Sequence, residues 1–167
     1  MLRSVKLPTQ IPGHLFLHGM PGRSESLDRV WREIGEARIN SIVSLAGLDE
    51  VRERSPEYAR AIVDGSVPCE RLEFPVPDYG VPDDRAAFYA FARDLAERLR
   101  VGGRLLVHCY AGIGRTGTLA VCILLALGEP QEDATCAVAT TGSAPVTPEQ
   151  DDLVAWFASQ VSASAEV

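Results

Sequence analysis

The sequence predicts an α/β fold: one domain, with a central mixed, mostly parallel sheet of four or five strands and helices on both faces. Three observations carry this. Short strand-like segments at 14–18, 38–45, 70–74 and 105–107 alternate with longer stretches of helical periodicity. The last run, Leu105-Leu106-Val107, passes through a glycine-rich loop into a second apolar stretch, Leu119 to Leu127, as a buried strand, tight turn and buried helix do. The 167 residues, 46% hydrophobic and 23% charged, suit a single globular core.

In order along the chain, residues 1–13 contain Pro8 and Pro12 and are expected to form an irregular lead-in. The domain proper is expected over 14–160, with a frayed tail over 161–167. His14-Leu15-Phe16-Leu17-His18 is a predicted strand. Its two histidines share a face but have no third ligand close by in sequence, so they are read as incidental and no metal site is expected. Pro21-Gly22 breaks the chain. Ser24 or Ser26 then caps a helix in which Leu27, Val30, Trp31 and Ile34 recur at helical spacing. A buried strand over 38–45 ends near Gly47. The charged stretch 48–64 predicts one or two short helices broken at Pro56, and Gly65 to Pro68 turns the chain into a strand over 70–74.

Pro75 to Asp84 holds three prolines and a glycine and is a predicted loop. Asp83 and Asp84 precede a helix and suit its N-terminal cap. That helix carries Phe88, Phe91, Ala92, Leu95 and Leu99 as one apolar stripe and stops at Gly102-Gly103. After Leu127, Glu129-Pro130 opens a segment expected to be helical to about Thr140, and 142–146 is a loop. The last helix starts at Thr147-Pro148-Glu149-Gln150, where Thr147 and Gln150 have the spacing of a capping box and Pro148 suits the first turn.

Chemistry concentrates in His108-Cys109-Tyr110-Ala111-Gly112-Ile113-Gly114-Arg115-Thr116-Gly117. The loop runs into a helix, so its N–H groups and the helix N-terminus can converge on one anion. Glycines let the backbone curl tightly enough to aim those groups inward. Cys109, at the strand end in the same positive field, is placed to act as a thiolate nucleophile. Arg115 offers a planar fork matching two phosphate oxygens. Gly112, Gly114 and Gly117 also fit a dinucleotide-binding fingerprint, but no further strand–helix units follow, and that reading leaves Cys109 and Arg115 without a task.

A net charge of −7 with no basic clustering argues against a nucleic-acid surface. The longest apolar run, Leu119 to Leu127, is too short to span a bilayer. Four cysteines, Cys69, Cys109, Cys122 and Cys136, show no zinc-like spacing. Cys122 and Cys136 are expected to be buried in helices. A thiolate needs a reducing compartment, so the cytoplasm is expected.

His108-Cys109, Gly112, Arg115 and Thr116 resemble the signature loop of the cysteine-dependent protein tyrosine phosphatases at every fixed position. Pro77-Asp78-Tyr79-Gly80 resembles that family's mobile acid loop, with Val76 in place of the usual tryptophan, as in dual-specificity members. The His-Cys-Tyr start and Pro-Val-Pro-Asp segment resemble the atypical dual-specificity enzymes of the cyclin-dependent-kinase-associated phosphatase group. The resemblance implies the phosphotyrosine protein phosphatase fold. It also implies a monomeric hydrolase, without cofactor, that acts on a phosphorylated protein or peptide. It implies Cys109 as nucleophile, Asp78 as general acid, and Arg115 with the N–H groups of Tyr110, Ala111, Gly112, Ile113 and Gly114 as the phosphate cradle. Thr116 would help the sulfur leave, and His108 would hold the loop. Gln150 is a candidate for positioning the hydrolytic water, although the capping box accounts for it without that role. Neutral Tyr110 and Ile113, where phosphoinositide-directed relatives often carry lysines, favour a phosphoprotein substrate.

Overall fold

The computed structural model describes residues 1–166. Its strands are β1 (Arg3–Val5), β2 (His14–His18), β3 (Ser41–Ser44), β4 (Glu70–Glu73) and β5 (Arg104–His108). Its helices are α1 (Leu27–Glu36), α2 (Leu48–Arg54), α3 (Pro56–Val63), α4 (Arg85–Arg100), α5 (Gly114–Ala126), α6 (Gln131–Ala139) and α7 (Pro148–Ala165). The sheet order is β1-β2-β5-β3-β4, with β1 antiparallel and the other pairings parallel. The expected mostly parallel α/β sheet is therefore present, with five strands and β5 at its centre.

Alternation along the central strands creates two cores. Leu15, Leu17, Val43, Leu105 and Val107 face a cluster completed by α4, α5, α6 and α7. Ile42 and Leu106 face the other way, onto Val30 and Ile34 of α1, Val51 of α2 and Tyr58 of α3. Helix α5 is buried from Arg115 to Leu125, as expected of a helix that is apolar nearly all round. Each large aliphatic side chain there contributes about 1.5–3 kcal/mol of burial. Gly117 permits this packing, because a Cβ at that position would lie 2.4 Å from the Ala144 amide nitrogen.

Caps set the helix starts. Ser26, rather than Ser24, accepts the Arg29 N–H at the head of α1, and Asp84 accepts the Ala87 N–H at the head of α4. The lead-in is not wholly irregular: Arg3–Val5 pairs with Leu15–Leu17 as an edge strand. Three residues are too few to show an alternating pattern, and their strand character comes from the partner. The tail also differs from expectation. Helix α7 continues through 161–165, and of the expected tail only Val167 lies outside the described residues. Cys122 is buried, but Cys136 is exposed, because α6 turns Ala134 and Val138 inward and leaves position 136 on the opposite face.

Candidate active site

The site lies beyond the carboxyl end of β5, where open α/β sheets place ligands. The chain leaves the strand at His108, forms the loop 109–113, and enters α5 at Gly114. Gly112 adopts φ +73°, and a Cβ there would lie 2.3 Å from the His18 carbonyl oxygen. Only glycine fits so close an approach.

Cys109 is buried, with 3% of its surface exposed, and its Sγ accepts the Gly112 N–H at 3.3 Å. The Gly112 N–H thus reaches the sulfur at the base of the loop. A cleft of about 290 Å³ is lined by Cys109, Tyr110, Ala111, Ile113, Gly114 and Arg115. Asp78 and Tyr79 close one side and Val146 and Gln150 another.

Arg115 is held by a dense set of acceptors. Its Nη1 and Nη2 donate to the two Glu50 carboxylate oxygens at 2.9 and 2.8 Å. Nη1 also donates to the Val76 carbonyl at 2.9 Å, and Nη2 to Asp78 Oδ1 at 3.1 Å. Burial works against its charge, but Glu50, the Cys109 sulfur and Asp78 outweigh burial and hold the guanidinium above its usual range. Its Nε and the Thr116 hydroxyl are buried without a hydrogen-bond partner among the described residues. Buried donors without a partner are costly unless an acceptor reaches them. The Thr116 hydroxyl therefore makes no hydrogen bond to the sulfur in this arrangement.

The acid loop is docked. The Gly80 N–H donates to the Pro77 carbonyl at 2.9 Å, closing a turn in which Tyr79 has φ +57°. The left-handed Tyr79 costs roughly 1–2 kcal/mol and leaves Asp78 facing Arg115. Asp84 is committed to its helix cap, and Asp83 does not line the cleft. Gln150 forms half of the expected capping box: its N–H donates to Thr147 Oγ1. Its side chain does not close that box. It accepts the Val146 N–H at 2.9 Å and donates to the Gly80 carbonyl at 3.1 Å, tying the acid loop to α7.

His108 is fully buried, and burial, with Arg71, His18 and Arg115 adding to it, pushes its pKa down to about 3. The ring is neutral. Nδ1 donates to the Cys109 carbonyl at 3.0 Å, so Nε2 accepts from the Tyr58 hydroxyl, also at 3.0 Å. Burial raises Tyr58 to about 12, and it keeps its proton. The unfolded chain protonates this histidine below about 6.5, whereas the folded chain resists until about 3. Its contribution is complete above pH 6.5 and is lost as pH falls through that window, because the unfolded state binds more protons. Denaturation midpoints should fall between pH 7 and 5, and fall less in His108→Asn.

Arg3 and Glu50 were not legible as site residues. Arg3 reaches from β1 behind the loop. Its Nη2 donates to the Gly112 carbonyl at 2.6 Å, and its Nη1 to Ser143 Oγ and the Thr141 carbonyl at 2.9 and 3.1 Å. Burial pulls its guanidinium below the usual range, while the Cys109 sulfur acts in the opposite sense. Arg3→Met should cost about 1–3 kcal/mol of stability by stripping charged donors from those carbonyls, read from chemical denaturation.

The two strand histidines separate. His14 is exposed, while His18 lies with Glu25 and Glu33, their ligand atoms within 4.8 Å of one another. This acid–histidine group was not visible in the spacing. The Met1 ammonium hydrogen-bonds both His18 and Glu25 within it.

A family model described as Swiss Army Knife protein, DSP-PTPase phosphatase domain, matches residues 11–164. The chain belongs to the DSP-PTPase phosphatase family. Among curated relatives, cyclin-dependent kinase inhibitor 3 of Rattus norvegicus is 38% identical over 55 residues, 33% of this chain and 26% of that protein. Receptor-type tyrosine-protein phosphatase H of Homo sapiens is 48% identical over 46 residues, 26% of this chain and 4% of that protein. The matches thus span about a quarter or less of those relatives. Kinase associated phosphatase, solved with serine in place of its catalytic-site cysteine, superposes with a TM-score of 0.81 at 20% identity, covering 98% of this chain and 96% of that one. PTPMT1 in complex with PI(5)P superposes with a TM-score of 0.71 at 20% identity, covering 90% and 94%. These two superpositions establish the fold.

Proposed function

We propose that this phosphatase domain hydrolyses phosphotyrosine, and with it phosphoserine and phosphothreonine, in proteins through a phosphocysteine intermediate. The observation that carries the proposal is the convergence of Cys109, Arg115 and Asp78 on one cleft, with Asp78 Oδ1 3.1 Å from Arg115 Nη2.

In the proposed scheme, phosphate oxygens take up the loop N–H groups, the orphaned Arg115 Nε and the fork that Asp78 now shares. Competition for the fork frees the Asp78 carboxyl to face the leaving oxygen. The Cys109 thiolate attacks phosphorus, the P–O bond to the leaving group breaks, and Asp78 gives that oxygen its proton. Water then attacks the phosphocysteine, Asp78 takes the water proton, and the S–P bond breaks to return the thiolate and release phosphate. The unpartnered Thr116 hydroxyl lies buried in the first turn of α5 and would stabilise the departing sulfur after a small movement. Gln150, tied to the acid loop, would position the water. Every charge in the scheme is supplied by side chains, so it takes no metal, and the free thiolate suits a reducing compartment such as the cytoplasm.

Asp78→Ala should lower kcat for a poor leaving group by about 10²–10³-fold, and much less for an activated aryl phosphate. KM should stay nearly constant. Equal losses for both leaving groups, or a larger loss in Asp84→Ala, would overturn the acid assignment.

A further inference from the structure

The rim of the cleft carries cations that the catalytic scheme leaves idle. Tyr110, the residue after the nucleophile, is half-buried. Arg23 Cζ lies 4.4 Å from its ring centroid and Arg54 Cζ lies 4.7 Å from it. Each guanidinium is favourable over an aromatic face, but two like charges sharing one ring repel each other unless an anion joins them. Arg29, Arg52, Arg71, Arg98 and Arg115 hydrogen-bond to carboxylates. Among the described residues Arg23 has no carboxylate partner. Arg54 has only Glu53, its sequence neighbour, at 4.0 Å. In a chain of net charge −7, this leaves exposed positive charge beside the nucleophile.

The pair is assembled by buried structure. Ser55, 3% exposed, donates its hydroxyl to the Pro21 carbonyl at 2.8 Å, joining segments 34 residues apart. Gly22 sits against that hydroxyl at φ +79°, where a Cβ would lie 2.5 Å from Ser55 Oγ. The Met20 N–H donates to the Tyr110 carbonyl at 2.9 Å. Arg23 follows Gly22 and Arg54 precedes Ser55, so the same contacts that seat the loop bring both guanidinium groups to Tyr110. Arg23 also lines the cleft that holds Cys109. The arginines draw the Tyr110 phenol below its ordinary range, Arg23 the more strongly.

We propose that Arg23, Tyr110 and Arg54 form a second anion subsite that selects phosphopeptides carrying a carboxylate or a second phosphoryl group beside the scissile phosphate. This rests on the phosphoprotein reading above. A peptide fits better than a membrane headgroup, because a chain of net charge −7 is repelled by an anionic bilayer. Exposed Tyr79, Ile113 and Val146 around the cleft also offer apolar contact to peptide side chains.

The test uses phosphotyrosine peptides that differ only in the residue flanking the phosphotyrosine: alanine, glutamate or a second phosphotyrosine, placed on either side. Turnover by the wild-type chain and by Arg23→Gln/Arg54→Gln is compared, with an aryl phosphate as reference. Binding to Cys109→Ser, with and without the double substitution, is measured in parallel by fluorescence anisotropy. Both anionic peptides should be preferred over the alanine peptide roughly tenfold, through KM and Kd. That preference should shrink with added salt and approach unity in the double variant. Equal handling of all three peptides, or a preference that survives the double substitution, overturns the subsite. So does selective hydrolysis of phosphoinositide in vesicles without any peptide preference. A binding preference without turnover of any phosphomonoester, the aryl phosphate included, keeps the subsite and overturns the hydrolase reading.

Discussion

Cys109→Ser should lower kcat toward an aryl phosphate by about 10⁴-fold or more, while phosphopeptide binding survives. A serine hydroxyl at the same place has the wrong ionisation and a poorer nucleophilic atom. The supports around it do not depend on sulfur. Arg3 and Ser143 hold the Gly112 carbonyl, and His108 holds the carbonyl of residue 109 through its ring N–H. The loop is therefore over-determined from behind, and the variant should fold and bind. Circular dichroism and phosphopeptide anisotropy check that half of the expectation, and steady-state rates check the other.

Arg115→Lys should cost about 10²–10³-fold in kcat/KM despite keeping the charge. The guanidinium makes contacts in several directions that one ammonium cannot reproduce: both Glu50 oxygens, the Val76 carbonyl and Asp78. Those contacts also seat the acid loop, so lysine should loosen Asp78 as well as weaken phosphate binding. Both kcat and KM should move, which distinguishes this variant from Asp78→Ala. Its side chain is 1% exposed, so the Glu50 carboxylate would be left partly unpaired. A stability loss of about 1–3 kcal/mol should accompany the kinetic one.

How legible these features were in the sequence depended on how local their causes are. The sheet core was legible because Leu15–Leu17, Ile42–Val43 and Leu105–Val107 carry their apolar pattern themselves. So was α5, apolar nearly throughout. Edge strand β1 was hidden because its pairing with Leu15–Leu17 is a property of the partner. Residues 108–116 were legible as one unit because a strand, a glycine loop and a helix start are adjacent in the chain. Glu50 was hidden in a charged stretch that reads as solvated helix, 65 residues from the arginine it clamps. Arg3 was hidden for the same reason, 109 residues from Gly112. Gln150 shows a subtler failure. Its spacing from Thr147 was read correctly as a cap for the backbone, but the side chain serves Val146 and Gly80 instead. Spacing reveals which groups are close along the chain, and only the fold reveals which of several acceptors a side chain takes.

The central claim is that phosphate passes through Cys109. Rapid-quench mass spectrometry during turnover of an aryl phosphate tests it directly. One phosphoryl group is expected on the peptide containing Cys109, formed within a single turnover, accumulating further in Asp78→Ala and absent in Cys109→Ser. Turnover that leaves Cys109 unlabelled, or that persists in Cys109→Ser, would contradict it.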